Sequence, residues 1–216
     1  MIEFNHIFRL DGVPHDRDSL SALCALELER KETEPWRREL CSFLLSWIDP
    51  EVTEFEQLTS GTTGRPRRYM LDRDAMIRSA TNTLSHFNLQ PGSGALLCLP
   101  VRYIAGKMMA VRALVGQLDL VTVEPSGRPL KGLVDPLDFA AMVPLQVHES
   151  LRHGDNLSII RNLVIGGGEI HHTLREQMEA MERPAIHESF AMTETYTHFA
   201  FRRINGRGAG SYFHPM

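Results

Sequence analysis

Apolar and polar positions change their period several times along the chain, and each change marks an element. Between residues 19 and 48 the apolar residues keep helical spacing. Leu20, Leu23, Cys24 and Leu28 form one series; Leu40, Phe43, Leu44 and Trp47 form a second, behind a Pro35 that suits a first helical turn. Two helices are predicted there, with Trp36 and Trp47 as core or interface residues on the apolar stripe of the second. From residue 53 the pattern becomes short apolar runs separated by amphipathic stretches. "EFEQL" (54–58) reads as a strand, "YML" (69–71) as a short extended piece, and Asp72 as the cap of a helix reaching about Phe87. "ALLCLP" (95–100), "DLVTVEP" (119–125), "DFAAMVP" (138–144), part of "LSIIRNLVIGGG" (157–168) and "AIHESFAM" (185–192) read as further strands, the last as the final one. Helices are expected over 104–116, from Pro144 through "PLQVHESLR", and over "HTLREQMEAM".

This alternation predicts an α/β fold, a parallel β-sheet flanked by helices. Two regions are expected, a helical N-terminal segment over 1–50 and an α/β domain over 51–216. No internal repeat is visible, and "SGRPLKG" (126–132) is the only linker-like stretch. A hydrophobic content of 43% with 23% charged residues fits a soluble globular chain, and a net charge of −4 argues against a nucleic-acid partner. The N-terminus has no basic region followed by an apolar run, and no apolar stretch approaches the roughly 18 residues that span a bilayer. No leader and no membrane association are therefore expected. Cys24, Cys41 and Cys98 are far apart and odd in number, without a CxxC pair, which points to a reducing, cytoplasmic setting. The adjacent His171 and His172 face different sides of a helix, and no HExxH occurs, so no structural metal site is expected.

The chemistry concentrates in "LTSGTTGRPRRYML" (58–71). Thr59, Ser60, Thr62 and Thr63 surround Gly61 and Gly64, and Arg65, Arg67 and Arg68 follow. Backbone N–H groups in a glycine-rich turn form an anion-binding concavity, the hydroxyls add donors, and Arg67 can grip phosphate oxygens in pairs. A hydroxyl-rich surface turn is the other reading of the loop alone. The nucleotide-triphosphatase loop G-x-x-x-x-G-K-[ST] does not fit, because Gly61 and Gly64 are three residues apart and no hydroxyl follows the basic residue.

"TSGTTGRPR" (59–67) resembles the phosphate-binding signature of the AMP-forming adenylating enzymes, [ST]SGTTGxPK, with Arg67 where lysine is usual. Two further motifs follow in the family's order. "LVIGGGEI" (163–170) is similar to its strand and Gly-Gly turn, and "SFAMTET" (189–195) to its YGMTE motif. The resemblance implies the large N-terminal domain of an adenylate-forming enzyme, using ATP, Mg²⁺ and CoA to activate a small-molecule carboxylic acid. It places Thr59 to Gly64 and Arg67 on the β- and γ-phosphates and the backbone of Gly167 and Gly168 against adenine. Phe190 would stack on the base, Thr193 would contact the α-phosphate, and Glu194 would hold Mg²⁺. Thr193, Glu194 and Arg67 are the residues that would assist the reaction. "TET" also reads as a helix start with a Thr cap and an early acid, which is compatible with that role.

"LPVRYIAGKMMAVRAL" (99–114) stands where the family has LPLFH-x-x-G, with Tyr103 replacing the histidine and Gly106 three residues later. Tyr103, Gly106 and Lys107 are the expected acid-binding residues. Together with "AMVPLQVHESL" (141–151), this segment is similar to the o-succinylbenzoate–CoA ligase branch that serves menaquinone synthesis. The substrate's second carboxylate would need a cationic anchor, for which Lys107 and Arg112 qualify by charge. Cations facing solvent are the alternative for both. The family's ribose-binding aspartate, hinge and small C-terminal domain with its adenylation lysine would lie beyond Met216. By this reading the chain alone binds nucleotide weakly and turns over little. A non-catalytic nucleotide-binding protein of the same fold, or a ligase for another acid, are the other readings.

Overall fold

The computed structural model describes residues 7–59, 67–192 and 195–215. Strands β1 (Phe8–Leu10) and β2 (Val13–His15) form a small antiparallel pair before helices α1 (Arg17–Glu29) and α2 (Pro35–Ile48). Asp16 caps α1 by accepting the Ser19 N–H at 2.9 Å, while the Asp16 N–H donates back to Ser19 Oγ. Pro35 opens α2 at a position where its missing N–H is not needed. The segment 1–50, expected to be helical, is so over 17–29 and 35–48. Its strand β1 instead pairs in parallel with β6 (Asp119–Thr122) and joins the main sheet.

Next come β3 (Glu54–Thr59), β4 (Arg67–Asp72), α3 (Arg73–His86), β5 (Gly94–Leu97) and α4 (Ile104–Gly116). After β6 follow β7 (Leu137–Met142), α5 (Pro144–Arg152), β8 (Ile160–Ile165), α6 (His172–Glu179), β9 (Ala185–Met192), β10 (Thr197–Arg203) and β11 (His214–Pro215). The large sheet runs β11-β10-β9-β8-β7-β5-β6-β1-β2. From β1 across to β9 every pairing is parallel, while β2, β10 and β11 close the two sides antiparallel. The sheet is therefore mixed but dominated by parallel pairs, and "AIHESFAM" is not the last strand. β9 turns back into β10, whose alternation is broken by an irregularity between His198 and Ala200.

Both faces are covered, as a parallel sheet requires. Ala95, Leu97, Phe139 and Val164 point into one core with α1 to α4. Leu96, Ala140, Leu163 and Ile165 point into the other with residues of α5 and α6. Cys24 of α1 and Cys41 of α2 are free cysteines buried in the same core.

β3 and β4 stand apart as a two-stranded antiparallel ribbon, in register from Glu54 opposite Asp72 to Thr59 opposite Arg67. At its base, Arg73 reaches four backbone carbonyls, those of Val52, Trp47, Ser46 and Asp49, and its guanidinium lies 4.8 Å from the Trp47 ring centroid. Asp72 caps α3 by accepting the Ala75 N–H at 2.8 Å.

Candidate active site

The parallel register sets the level of the site. Leu96, Ala140, Leu163 and Ile186 lie side by side on β5, β7, β8 and β9. Beyond this row β8 ends at Ile165 and bends through Gly167, while β9 continues past Phe190 to Met192, so both residues lie toward the C-terminal edge of the sheet. In open α/β sheets that edge is where ligands bind. Glycine is required there for definite reasons. Gly167 has φ +78, a left-handed conformation that a side chain would strain. A Cβ on Gly166 would collide with Ser189 Oγ, which donates to Ile165 O at 3.1 Å, and Gly166 N–H donates to Met142 O at 3.2 Å. Gly168 lies over the Pro144 ring, at the start of α5.

Phe190 is half exposed at the end of β9, with Phe199 edge-on at 5.1 Å and Phe213 at 5.8 Å. An exposed aromatic held by two other rings offers a fixed flat face for a planar ligand. Beyond it, Met192 N–H donates to Thr195 Oγ1 at 3.2 Å, and that hydroxyl donates back to Met192 O at 3.0 Å. The two bonds bracket positions 193 and 194. Thr193, Glu194 and the loop Ser60, Gly61, Thr62, Thr63 and Gly64 lie outside the described residues. Thr59 and Arg67 are register partners at the far end of the β3–β4 ribbon.

The segment after β5 leaves the same edge of the sheet. Tyr103 caps α4 without a side-chain hydrogen bond and is 55% exposed. Gly106 permits α4 to approach the preceding turn. A Cβ there would come within 2.5 Å of Leu99 O and closer still to Pro100 O, both backbone atoms that cannot rotate away. Lys107 is buried, donates from Nζ to Glu56 O on β3 at 2.5 Å, and lies 5.9 Å from the Phe43 ring centroid. Burial pulls its ammonium down to about 8, against an opposing pull from Glu56.

Arg112 does not face solvent, contrary to one of its sequence readings. It is 1% exposed in the core between α3, α4 and β10, with Nη2 at 3.5 Å from His198 Nε2, which also stands 3.0 Å from Thr83 Oγ1. Burial lowers the guanidinium to about 9 and, with Arg112 alongside, holds His198 well below the usual imidazole range.

One charged cluster was not foreseen. Glu188, two residues before Phe190, accepts from Arg175 of α6 at 2.8 Å and from Arg202 of β10 at 3.0 Å. Burial alone would raise its carboxyl, but the two arginines hold it below the ordinary glutamate value. No local spacing could reveal this set, because its members come from three separate elements. Among the described residues, no group of three or more His, Cys, Asp or Glu side chains is placed to hold a metal ion.

Residues 14–214 match the sequence model of the AMP-binding enzymes. The chain belongs to that family. The match begins within the first fifty residues, so β2, α1 and α2 are part of what the family shares. A 2-succinylbenzoate–CoA ligase from Bacillus licheniformis is 26% identical over 165 residues, covering 70% of this chain and 34% of the relative. An acyl-CoA synthetase (AMP-forming)/AMP-acid ligase II-like protein from Dyadobacter fermentans superposes with a TM-score of 0.81 at 32% identity, over 91% of this chain and 56% of that one. The E. coli MenE protein, bound to a phenylether-linked analogue of OSB-AMS, shares the fold at 17% identity with a TM-score of 0.68, over 97% of this chain and 62% of the other. The chain thus spans about a third of the curated relative and just over half of the Dyadobacter structure.

Proposed function

We propose that this chain carries the nucleotide- and acid-binding part of an AMP-forming acid–CoA ligase, with o-succinylbenzoate as the acid. The observation that supports this most is the placement of the Gly167 bend and the exposed Phe190 ring toward the C-terminal edge of adjacent parallel strands, inside a family match over 14–214. A flat base fits between a side-chain-free backbone and an exposed ring. In this reading Gly167, Gly168 and Phe190 hold adenine, and Thr59 to Gly64 with Arg67 hold the β- and γ-phosphates. Thr193 contacts the α-phosphate, and Tyr103 and Gly106 shape the acid pocket. Glu194 and phosphate oxygens form the hard-oxygen donor set that suits Mg²⁺, which when bound neutralises phosphate charge. In this reading the chain belongs to a cytoplasmic enzyme of menaquinone synthesis; among the described residues no helix is long and apolar enough to cross a membrane.

The chemistry is two displacements. An oxygen of the substrate carboxylate attacks the α-phosphorus of ATP, forming the acyl-adenylate as pyrophosphate leaves with the breaking P–O bond. The thiol of CoA, losing its proton, then attacks the acyl carbon and releases AMP. The protein's contribution is alignment of the carboxylate opposite the leaving group and neutralisation of charge that develops on the phosphates. Calorimetric titration with MgATP and with AMP tests the nucleotide part. Arg67→Ala is expected to weaken MgATP about tenfold while leaving AMP unchanged. Calorimetric titration with o-succinylbenzoate, benzoate and a fatty acid tests the acid. Equal MgATP affinity in the Arg67 variant, or preference for another acid, would overturn the corresponding assignment.

A further inference from the structure

Lys107 has the charge expected of a substrate anchor, yet its Nζ is occupied. It donates to the backbone oxygen of Glu56, in the middle of β3, from a position 7% exposed. One residue along the same strand, Gln57 is 2% exposed and donates from Nε2 to the backbone oxygen of Arg102 at 2.8 Å. The β3–β4 ribbon lies outside the nine-stranded sheet, so no sheet pairing to that body fixes where it sits. Its inner face is instead placed by apolar contacts of Phe55 with Phe43 and Trp47, by Arg73 at its base, and by these two crossed bonds at its middle. In each bond a buried side chain donates to a part-buried backbone carbonyl of the opposing segment, so losing the donor removes one partner of that acceptor as well as a contact.

We propose that Lys107 and Gln57 are positioning residues that dock the β3–β4 ribbon on the 102–107 segment and so fix the phosphate-gripping end of the ribbon relative to the acid pocket. The functional half rests on the reading given under Proposed function. The segment that carries Tyr103 and Gly106 and the strands that lead into and out of residues 60–66 then move as one unit. Lys107 acts through β3 and does not touch substrate. Its long aliphatic stem packs in the core while the ammonium is spent on a carbonyl, which explains this cation on a largely apolar, buried helix.

The test compares the wild-type chain with Lys107→Met and Gln57→Leu, each close to the original side chain in volume. Amide hydrogen exchange of residues 54–59 and 67–72 is expected to accelerate at least tenfold in both variants, with residues 137–165 unchanged. Calorimetric affinity for MgATP is expected to fall at least fivefold while AMP affinity stays the same, because AMP lacks the phosphates the ribbon would grip. A fold made looser throughout would weaken both nucleotides together and expose residues 137–165, and that result overturns the proposal. Unchanged exchange in the ribbon also overturns it. If wild-type chain does not prefer MgATP to AMP, the phosphate reading and the functional half of this proposal fall together, while ribbon exchange still decides whether the docking exists. Should Lys107→Met not fold, Gln57→Leu carries every arm alone.

Discussion

Acidification should destabilise this protein before its carboxylates are protonated, and His187 on β9 is one cause. Its ring stands edge-on to Phe87 at 5.1 Å and to Phe201 at 6.2 Å, opposite Arg203 in the β9–β10 register. Burial, then the charge of Arg203 and the proximity of His86, lower the imidazole from 6.5 to about 4. The unfolded chain therefore takes up a proton near pH 6.5 that the folded chain refuses until about pH 4. Stability is complete above 6.5 and is lost as the pH falls through that window. Integrating the two titrations gives a loss of about 2 kcal/mol between pH 7.5 and 5, and about 3 kcal/mol by pH 4. His198 and His86 are lowered by burial as well and push in the same direction. The assay is urea unfolding followed by far-UV circular dichroism at pH 7.5 and 5.0, in the wild type and in His187→Phe. Phenylalanine keeps the aromatic cluster and cannot titrate. The wild type should lose about 2 kcal/mol more than the variant, a midpoint difference of roughly 1 M urea at a slope of about 2 kcal/mol per molar. Equal losses in the two proteins would refute the reasoning.

Gly106→Ala should lower stability by about 1–3 kcal/mol, the cost of overpacking against the fixed Leu99 and Pro100 carbonyls less the alanine gain in helix propensity. Thermal unfolding checks it, and an unchanged or higher midpoint would remove the steric argument for that glycine. Glu188→Gln should cost about 1–3 kcal/mol at pH 7 by leaving Arg175 and Arg202 facing a neutral partner. Because the folded carboxyl is lowered, the wild-type advantage should be present above about pH 4.5 and disappear as the pH falls further, which paired denaturation curves at pH 7 and 3.5 would reveal. A thiol reagent such as Ellman's should find no reactive cysteine in the native chain and all three after denaturation. Cys24, Cys41 and Cys98 are fully enclosed, and burial pushes the Cys98 thiol up to about 12.

How far these features could be read from residues alone depended on whether the deciding force was local. Asp72, Pro35 and Pro144 act within one turn of the chain, and the helices they open begin where expected. Period and length likewise marked β5, β7, β8 and α4. Strands β1 and β10 escaped, since one is held by pairing to a partner distant in sequence and the other by a turn that reverses the chain. The same division holds in the site. The glycines near residue 167 and the aromatic at 190 are visible as motif letters, the glycines because the positive φ at 167 and the close approach of 166 to Ser189 need a missing side chain. The Arg175–Glu188–Arg202 cluster has no such signature.

Lys107 and Arg112 show a signal that was present and outweighed by charge. The helix "IAGKMMAVRALVG" is apolar around its whole circumference, and a helix of that kind is buried on all sides. Two cations on it cannot both reach water, so each must find polar partners inside. Lys107 has the Glu56 carbonyl and Arg112 stands beside His198, on opposite sides of the same helix. Reading the charge first suggested a ligand anchor or a solvated face. Reading the surrounding eleven residues first leads to internal tethers, one to the ribbon that bears residues 59 and 67, the other to the strand that follows Phe190. α4 is thereby the element through which both halves of the proposed nucleotide site are joined to one core.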